Sequence, residues 1–157
     1  LGEVGRFAAE KTRVRPGLLD AVRWCADNDV EFVVNSAGID AYVLPVLEKH
    51  GLVGLRVHCG AATRASRGIA VTYTGPGGVP LPADSKAAWA EYEKSLGRYV
   101  YYAGDGVSDK PAALHADHVF ARDKLLAFAR EQRLPHTPFS DFNDVLRALK
   151  SQVAVEV

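Results

Sequence analysis

Apolar residues recur along the chain at two periods, and the switches between them mark out its elements. Leu18, Leu19, Val22, Cys25 and Ala26 follow Arg15-Pro16-Gly17 at helical spacing. They predict an amphipathic helix ending near residue 27, with Pro16 suited to its first turn. Residues 30–35 (VEFVVN) are short, apolar and β-branched, which reads as a buried strand. Ile39, Tyr42, Val43, Val46 and Leu47 then return to helical spacing up to Gly51, with Pro45 inside the stripe as an expected kink. Ahead of all these, residues 1–12 form a short helical pattern with Val4, Phe7 and Ala8 on one face.

The second half repeats the alternation. Residues 55–59 and 69–73 alternate in polarity around a polar connection and predict a hairpin. A Gly/Pro-rich loop follows, then a helix over 85–96 carrying Ala88, Trp89, Tyr92 and Leu96 on one side. Residues 99–103 (YVYYA) predict a second buried strand, and 118–121 a third. Helices are expected over 111–115, 123–132 and 141–149, with Pro135 and Pro138 marking a loop. Strands alternating with helices predict a doubly wound, Rossmann-like α/β sheet. Ligands bind such sheets outside the carboxyl ends of the strands, so attention falls on the residues after Val34 and after Ala103.

Both places carry polar residues of a particular kind. Asn35-Ser36-Ala37-Gly38 follows the first strand and is expected to open a helix. A hydroxyl beside free N–H groups at a helix start suits an anion, and Ser36 serves equally as a plain cap. Gly104-Asp105-Gly106-Val107-Ser108-Asp109 follows the second strand. Two carboxylates four apart can approach one hard cation, with Gly106 allowing a tight turn. The alternatives are an Asx-type turn, or Asp109 as a cap while Asp105 binds. Lys86 starts a helix, where its charge opposes the dipole, so a functional or tertiary reason is expected for it. Arg64 and Arg67 suit either a substrate anion or a solvated loop. His58, His115 and His118 form no metal-binding signature.

Composition narrows the class. The chain has 157 residues, with 19 Lys plus Arg against 19 Asp plus Glu. Zero net charge argues against a broad nucleic-acid or anionic-membrane surface, and no apolar run reaches the roughly 18 residues of a membrane span. Cys25 and Cys59 lack CxxC spacing and read as reduced thiols of a cytoplasmic protein, with a disulfide or a catalytic thiol as the alternatives. There is no Met, and the chain starts at Leu1, so a missing beginning is expected.

Ser36 after an apolar strand, Lys86 ahead of Gly-Asp-Gly-x-x-Asp, and the 104–109 loop resemble motifs II, III and IV of the haloacid dehalogenase-like phosphatases. GDGVSDKPAALHADHVFARDKLL, VRPGLLDAV and FVVNSAGIDAYVLPVLE resemble one branch of that superfamily. That branch contains phosphoserine phosphatase and the enolase-phosphate phosphatase of methionine salvage. The resemblance implies Mg²⁺-dependent hydrolysis of a small-molecule phosphomonoester. Ser36 and the N–H of Ala37 would hold phosphoryl oxygens. Lys86 would neutralise the phosphate and the nucleophile. Asp105 and Asp109 would hold or orient Mg²⁺. The family's nucleophile motif, DxDx[TV], does not occur; Asp27-Asn28-Asp29 is the nearest spelling and precedes the wrong strand. The expectation is therefore a fold incomplete at its N-terminus, lacking its first strand and most of its cap. Residues 1–12 would be a cap remnant, and 13–157 the core with a β excursion at about 52–82. The expected partners are a small phosphorylated metabolite and either a complementing N-terminal segment or a second copy. The alternative is a nucleophile-less pseudo-phosphatase acting as a ligand-binding or interaction module.

Overall fold

The structure, a computed structural model, describes residues 1–153, so the last four residues of the expected 13–157 core lie outside the described residues. The chain runs α1 (Gly2–Lys11), α2 (Leu18–Asp27), β1 (Val33–Ile39), α3 (Asp40–Lys49), β2 (Arg56–Ala65), β3 (Gly68–Thr74) and β4 (Pro80–Leu81). It continues with α4 (Lys86–Ser95), β5 (Tyr101–Gly104), α5 (Lys110–Ala113), β6 (His118–Ala121), α6 (Asp123–Glu131), β7 (His136–Pro138) and α7 (Phe142–Val153).

These strands form two sheets, ordered β1-β2-β3-β4 and β5-β6-β7. β1 pairs parallel with β2, placing Val33 beside Arg56 and Asn35 beside His58. β5, β6 and β7 are parallel throughout. The α/β class is as expected. β2 serves two partners. Its first half lies against β1, and Ala61–Ala65 pair antiparallel with β3 to form the hairpin. The excursion thus grows out of a main-sheet strand.

Alternation along β6 explains the layering. Val119 and Ala121 join a core with Ala90, Tyr102, Ala112, Leu125 and Ala129, drawn from α4, β5, α5 and α6. Phe120, on the opposite face, packs with Cys25, Phe139, Val145 and Leu149, drawn largely from α2 and α7. Period-two side chains on a strand covered on both faces give a doubly wound arrangement. Each fully buried side chain of the size of Phe120 or Leu125 contributes roughly 1.5–3 kcal/mol. On the other side of the molecule, α1 packs on α3 at Gly5. A Cβ there would come 2.6 Å from the Ala41 carbonyl and 2.9 Å from Pro45 Cγ. Pro45 has no N–H to offer Ala41, and the glycine lets α1 close onto that carbonyl.

Two strand predictions need correction. Residues 136–138 form a strand rather than a loop, with Phe120 beside Thr137 and Ala121 beside Pro138; Pro138 is tolerated because β7 is an edge strand. β1 and β5 are not the buried strands their apolar sequences predict. No residue of β1 is buried, and Ala103 in the middle of β5 is exposed, whereas Val119, Phe120 and Ala121 of β6 are 0–1% exposed. The reason is topological: among the described residues each strand ends its own sheet, and the two sheets are not hydrogen-bonded to each other. A seam therefore runs between β1 and β5, bridged by α4.

Candidate active site

The site is built around Asp109. This residue is 6% exposed, and its carboxylate accepts four hydrogen bonds. Lys86 Nζ (2.7 Å) and the Tyr102 hydroxyl (2.8 Å) donate to Oδ1. The N–H groups of Asp105 (3.1 Å) and Gly106 (2.9 Å) donate to Oδ2. The 104–109 loop is thus wound around its own last side chain, which fills the inside of the turn. Burial alone would push the Asp109 carboxyl up. Hydrogen bonds from Lys86, the Gly106 N–H and Tyr102, with the Lys86 charge, outweigh it and hold the carboxyl below its ordinary value. The same burial and the Asp109 charge push the Tyr102 hydroxyl far up, so Tyr102 acts as a neutral donor. The indispensable glycine is not Gly106, whose backbone is extended (φ −107°, ψ 179°). It is Gly104, where a Cβ would fall 2.7 Å from the Asp109 carboxylate.

Lys86 is delivered by the first residue of α4. Ser85 at the helix start makes no side-chain cap; Asp84 Oδ1 accepts the Lys86 N–H instead (3.1 Å). The Lys86 side chain is 11% exposed and gives two of its three donors to Asp109 and to Ser108 Oγ (2.9 Å). The unfavourable dipole position is offset by this buried pairing. The Lys86 carbonyl accepts from Asn35 Nδ2 (3.0 Å), which ties the middle of β1 to the start of α4. Asn35 Oδ1 and the Ser85 hydroxyl, both beside this contact, are buried without a hydrogen-bond partner among the described residues.

Ser36 and Ala37 are placed differently from expectation. β1 continues through them to Ile39, and α3 begins only at Asp40. The helix start is occupied by the Asp40 carboxylate, which accepts from the N–H of Ala41 (2.7 Å) and of Ala62 (3.0 Å). Ser36 Oγ accepts the Gly38 N–H (3.0 Å), leaving its own proton free to donate. The Ala37 carbonyl accepts from Tyr73 Oη (2.6 Å). Ser36 therefore sits in the irregular second half of β1, one residue beyond the Asn35–Lys86 tie, not on a helix cap.

Asp105 is held through its backbone: its N–H reaches Asp109, and its carbonyl accepts from Leu125 (3.2 Å). Its side chain stays half exposed and meets Arg15 Nη2 at 2.7 Å. Asp105 fits a hard cation as one oxygen ligand, whereas both oxygens of Asp109 are already occupied. Among the described residues no three Asp, Glu, His or Cys side chains converge as a metal set. His58 stacks on Trp89 at 3.6 Å, and His118 meets Thr137 Oγ1 at 2.9 Å. Arg64 and Arg67 lie exposed on the β2–β3 hairpin. A cleft of about 750 Å³ lies between α6 and α7 and is lined by none of Ser36, Lys86, Asp105 and Asp109.

Asn35, Tyr102, Ser108 and Arg15 join the site without having been assigned a role from sequence. Tyr102 had only a weak signal, as one of three tyrosines in the 99–103 run. Arg15 reaches across 90 residues and had none.

Comparison with known proteins decides the lineage. The profile of the haloacid dehalogenase-like hydrolases matches residues 1–114, a span holding Ser36, Lys86, Asp105 and Asp109. The chain belongs to the haloacid dehalogenase-like hydrolase family. Within curated members, it is similar to a 2-hydroxy-3-keto-5-methylthiopentenyl-1-phosphate phosphatase from Brevibacillus brevis, 28% identical across 96% of this chain and 69% of the relative. A phosphatase of the same name from Bacillus mycoides is 27% identical across 99% and 72%. The bifunctional enzyme MtnB/MtnX of Bacillus licheniformis is 31% identical, covering 98% of this chain but 36% of that longer protein. Family membership gives the position of the 104–109 loop after a parallel strand a chemical meaning. No helix of the described residues is long and apolar enough to cross a membrane.

Proposed function

We propose that this chain supplies the phosphate-facing and cation-facing part of a Mg²⁺-dependent phosphatase acting on a small phosphomonoester of the kind named for its relatives. The observation that carries this reading is one connected set running from the middle of β1 to the loop after β5. Asn35 ties to the Lys86 carbonyl, Lys86 Nζ to Asp109, and Asp109 to the N–H of Asp105. In this reading Lys86 turns its remaining N–H toward a phosphoryl oxygen, Ser36 donates its hydroxyl to another, and the Ala37 N–H assists. Asp105 offers one oxygen to Mg²⁺, and Asp109 positions Asp105 and Lys86. Mg²⁺ is ordinarily held by one or two carboxylates together with substrate phosphate, which suits a site with a single available carboxylate. When bound, the cation supplies charge neutralisation of the transferring group.

The nucleophile of this reading comes from outside the 157 residues, on an extended segment laid into the seam between β1 and β5. The half-burial of β1, the exposed Ala103, and the unpartnered Asn35 Oδ1 and Ser85 hydroxyl support it. Such a segment, from a complementing stretch or a second copy, would pair with both open strand edges. The test is phosphate release from 2-hydroxy-3-keto-5-methylthiopentenyl 1-phosphate, with and without chelator. It compares the chain alone with the chain joined to a DxDx[TV]-bearing strand. Release that needs both strand and Mg²⁺ is expected. Failure of the joined form overturns the reading, and release by the chain alone overturns the segment. The absence of DxDx[TV] from these residues favours a second reading, a phosphate-binding module without turnover. Saturable binding of the phosphoester, with no release even in the joined form, would favour it.

A further inference from the structure

The 104–109 loop carries two ion pairs of opposite character. Lys86–Asp109 is buried, with side chains 11% and 8% exposed; Arg15–Asp105 is reached by water, with side chains 40% and 47% exposed. Removing one partner of a buried pair strands a charge in a dry place, so the first pair is fixed. A solvated pair contributes little and changes partners cheaply.

We propose that Arg15 is a built-in counter-ion for Asp105: its guanidinium occupies the carboxylate in the absence of a divalent cation, and the cation displaces it on binding. The proposal rests on the reading of Asp105 as a cation ligand. The position of Arg15 is fixed by its backbone. The Arg15 carbonyl accepts the Leu18 N–H (3.3 Å), and the Pro16 carbonyl accepts the Phe142 N–H at the start of α7 (2.9 Å). Gly17 adopts a left-handed conformation (φ 81°) that a side chain could not share, since a Cβ would lie 2.6 Å from the Asn143 backbone nitrogen. The 15–17 turn is therefore locked between α2 and α7 and aims Arg15 at the end of β5. With both Asp109 oxygens occupied, Asp105 bears the one carboxylate of the loop free to exchange. A guanidinium 2.7 Å from it both satisfies that carboxylate and repels an incoming cation.

Titration with Mn²⁺, followed by water-proton relaxation, tests the exchange on the chain and on Arg15→Gln, Arg15→Lys and Asp105→Asn. The expected result is Mn²⁺ binding about two- to fivefold tighter in Arg15→Gln than in the wild type, with Arg15→Lys in between. The gain should be lost when Asp105→Asn is added. Addition of Mg²⁺ should also move the Arg15 Nε–H resonance in the wild type. A merely structural brace would lower the unfolding midpoint of Arg15→Gln and leave Mn²⁺ affinity unchanged. Equal Mn²⁺ affinity in wild type and Arg15→Gln, including no binding by either, overturns the counter-ion role. If Asp105→Asn still weakens binding in that case, Asp105 remains a ligand. Binding indifferent to Asp105→Asn overturns both.

Discussion

Lys86 Nζ stands 2.7 Å from Asp109 Oδ1, and this one buried contact links the two sheets, since the Lys86 carbonyl is held by Asn35 of β1 and Asp109 closes the loop after β5. Replacing Lys86 by Met removes the charge while keeping most of the volume. It leaves Asp109 ionised and buried, at an expected cost of about 3–5 kcal/mol. The double variant Lys86→Met/Asp109→Asn should lose less than the two single losses added together, because neither charge is then stranded. Chemical denaturation of the four proteins measures this coupling; strict additivity would refute it.

The two glycines of the loop should respond in opposite directions to alanine. At Gly104 the new methyl meets the Asp109 carboxylate at 2.7 Å, and displacing that hub is expected to cost about 1–3 kcal/mol. At Gly106 the nearest atom is 3.6 Å away and the backbone is extended. Alanine there should be neutral or stabilise by roughly 0.4–1 kcal/mol through the unfolded chain. Urea midpoints would decide, and a reversed order would mean that the loop is not wound on Asp109.

Acid should act through Asp109. Its carboxyl, despite burial, is held below the ordinary value of 3.8 by Lys86, the Gly106 N–H and Tyr102. A depressed folded-state value means that the unfolded chain takes up the proton first. The stabilisation is therefore complete above the ordinary carboxylate range and is lost as pH falls through the lower folded value. The stability gap between wild type and Asp109→Asn should be constant near neutrality and close as pH drops below 3.8. Unfolding midpoints across that range test it. Asp117 and Asp144 are also held low, so the difference between the two proteins is the quantity to follow.

Cys25 should be inert in the folded protein. It is 2% exposed among Phe120, Phe139, Val145 and Leu149, and burial pushes its thiol up to about 11. The thiolate is the reactive form, so alkylation at about pH 8 should await unfolding. Cys59 is only partly covered, and its thiol too is pushed up by burial and by Asp40. Mass spectrometry of timed iodoacetamide labelling should find Cys59 modified first. Equal rates would contradict the packing of α2 against α7.

Much of this was legible in the chain. The period-two and helical stripes located β6, α2 and α7, and the Gly-Asp-Gly-x-x-Asp spacing located the loop at the heart of the site. Lys86 stood out through a local misfit with its helix dipole, and the buried pairing with Asp109 accounts for it. What failed to show has physical reasons. An apolar, β-branched run such as Val33-Val34 reads alike whether a neighbouring strand lies on one side or on both, so the half-burial of β1 was invisible. β7 is three residues long and ends in Pro138, too short for any period. Ser36-Ala37-Gly38 has the composition of a cap, yet these residues stay in β1, and the helix starts after Ile39 with Asp40 in its first turn. Asn35 and Arg15 act across 51 and 90 residues, and no local pattern encodes such a meeting.

In most sheets the amide protons slowest to exchange with solvent belong to the middle strands. The seam inverts that order here. Among the described residues β1 and β5 end their ladders, so their seam-facing amides should exchange as fast as those of an outer edge, although Ser36 lies within β1 and Asp105 directly follows β5. Backbone protection should then be strongest along β6, paired on both sides and closed off from water. The residues proposed to carry the chemistry thus rest on weakly protected backbone, where local opening is cheap. Anything that fills the seam should leave its signature as a selective slowing of exchange in those two strands.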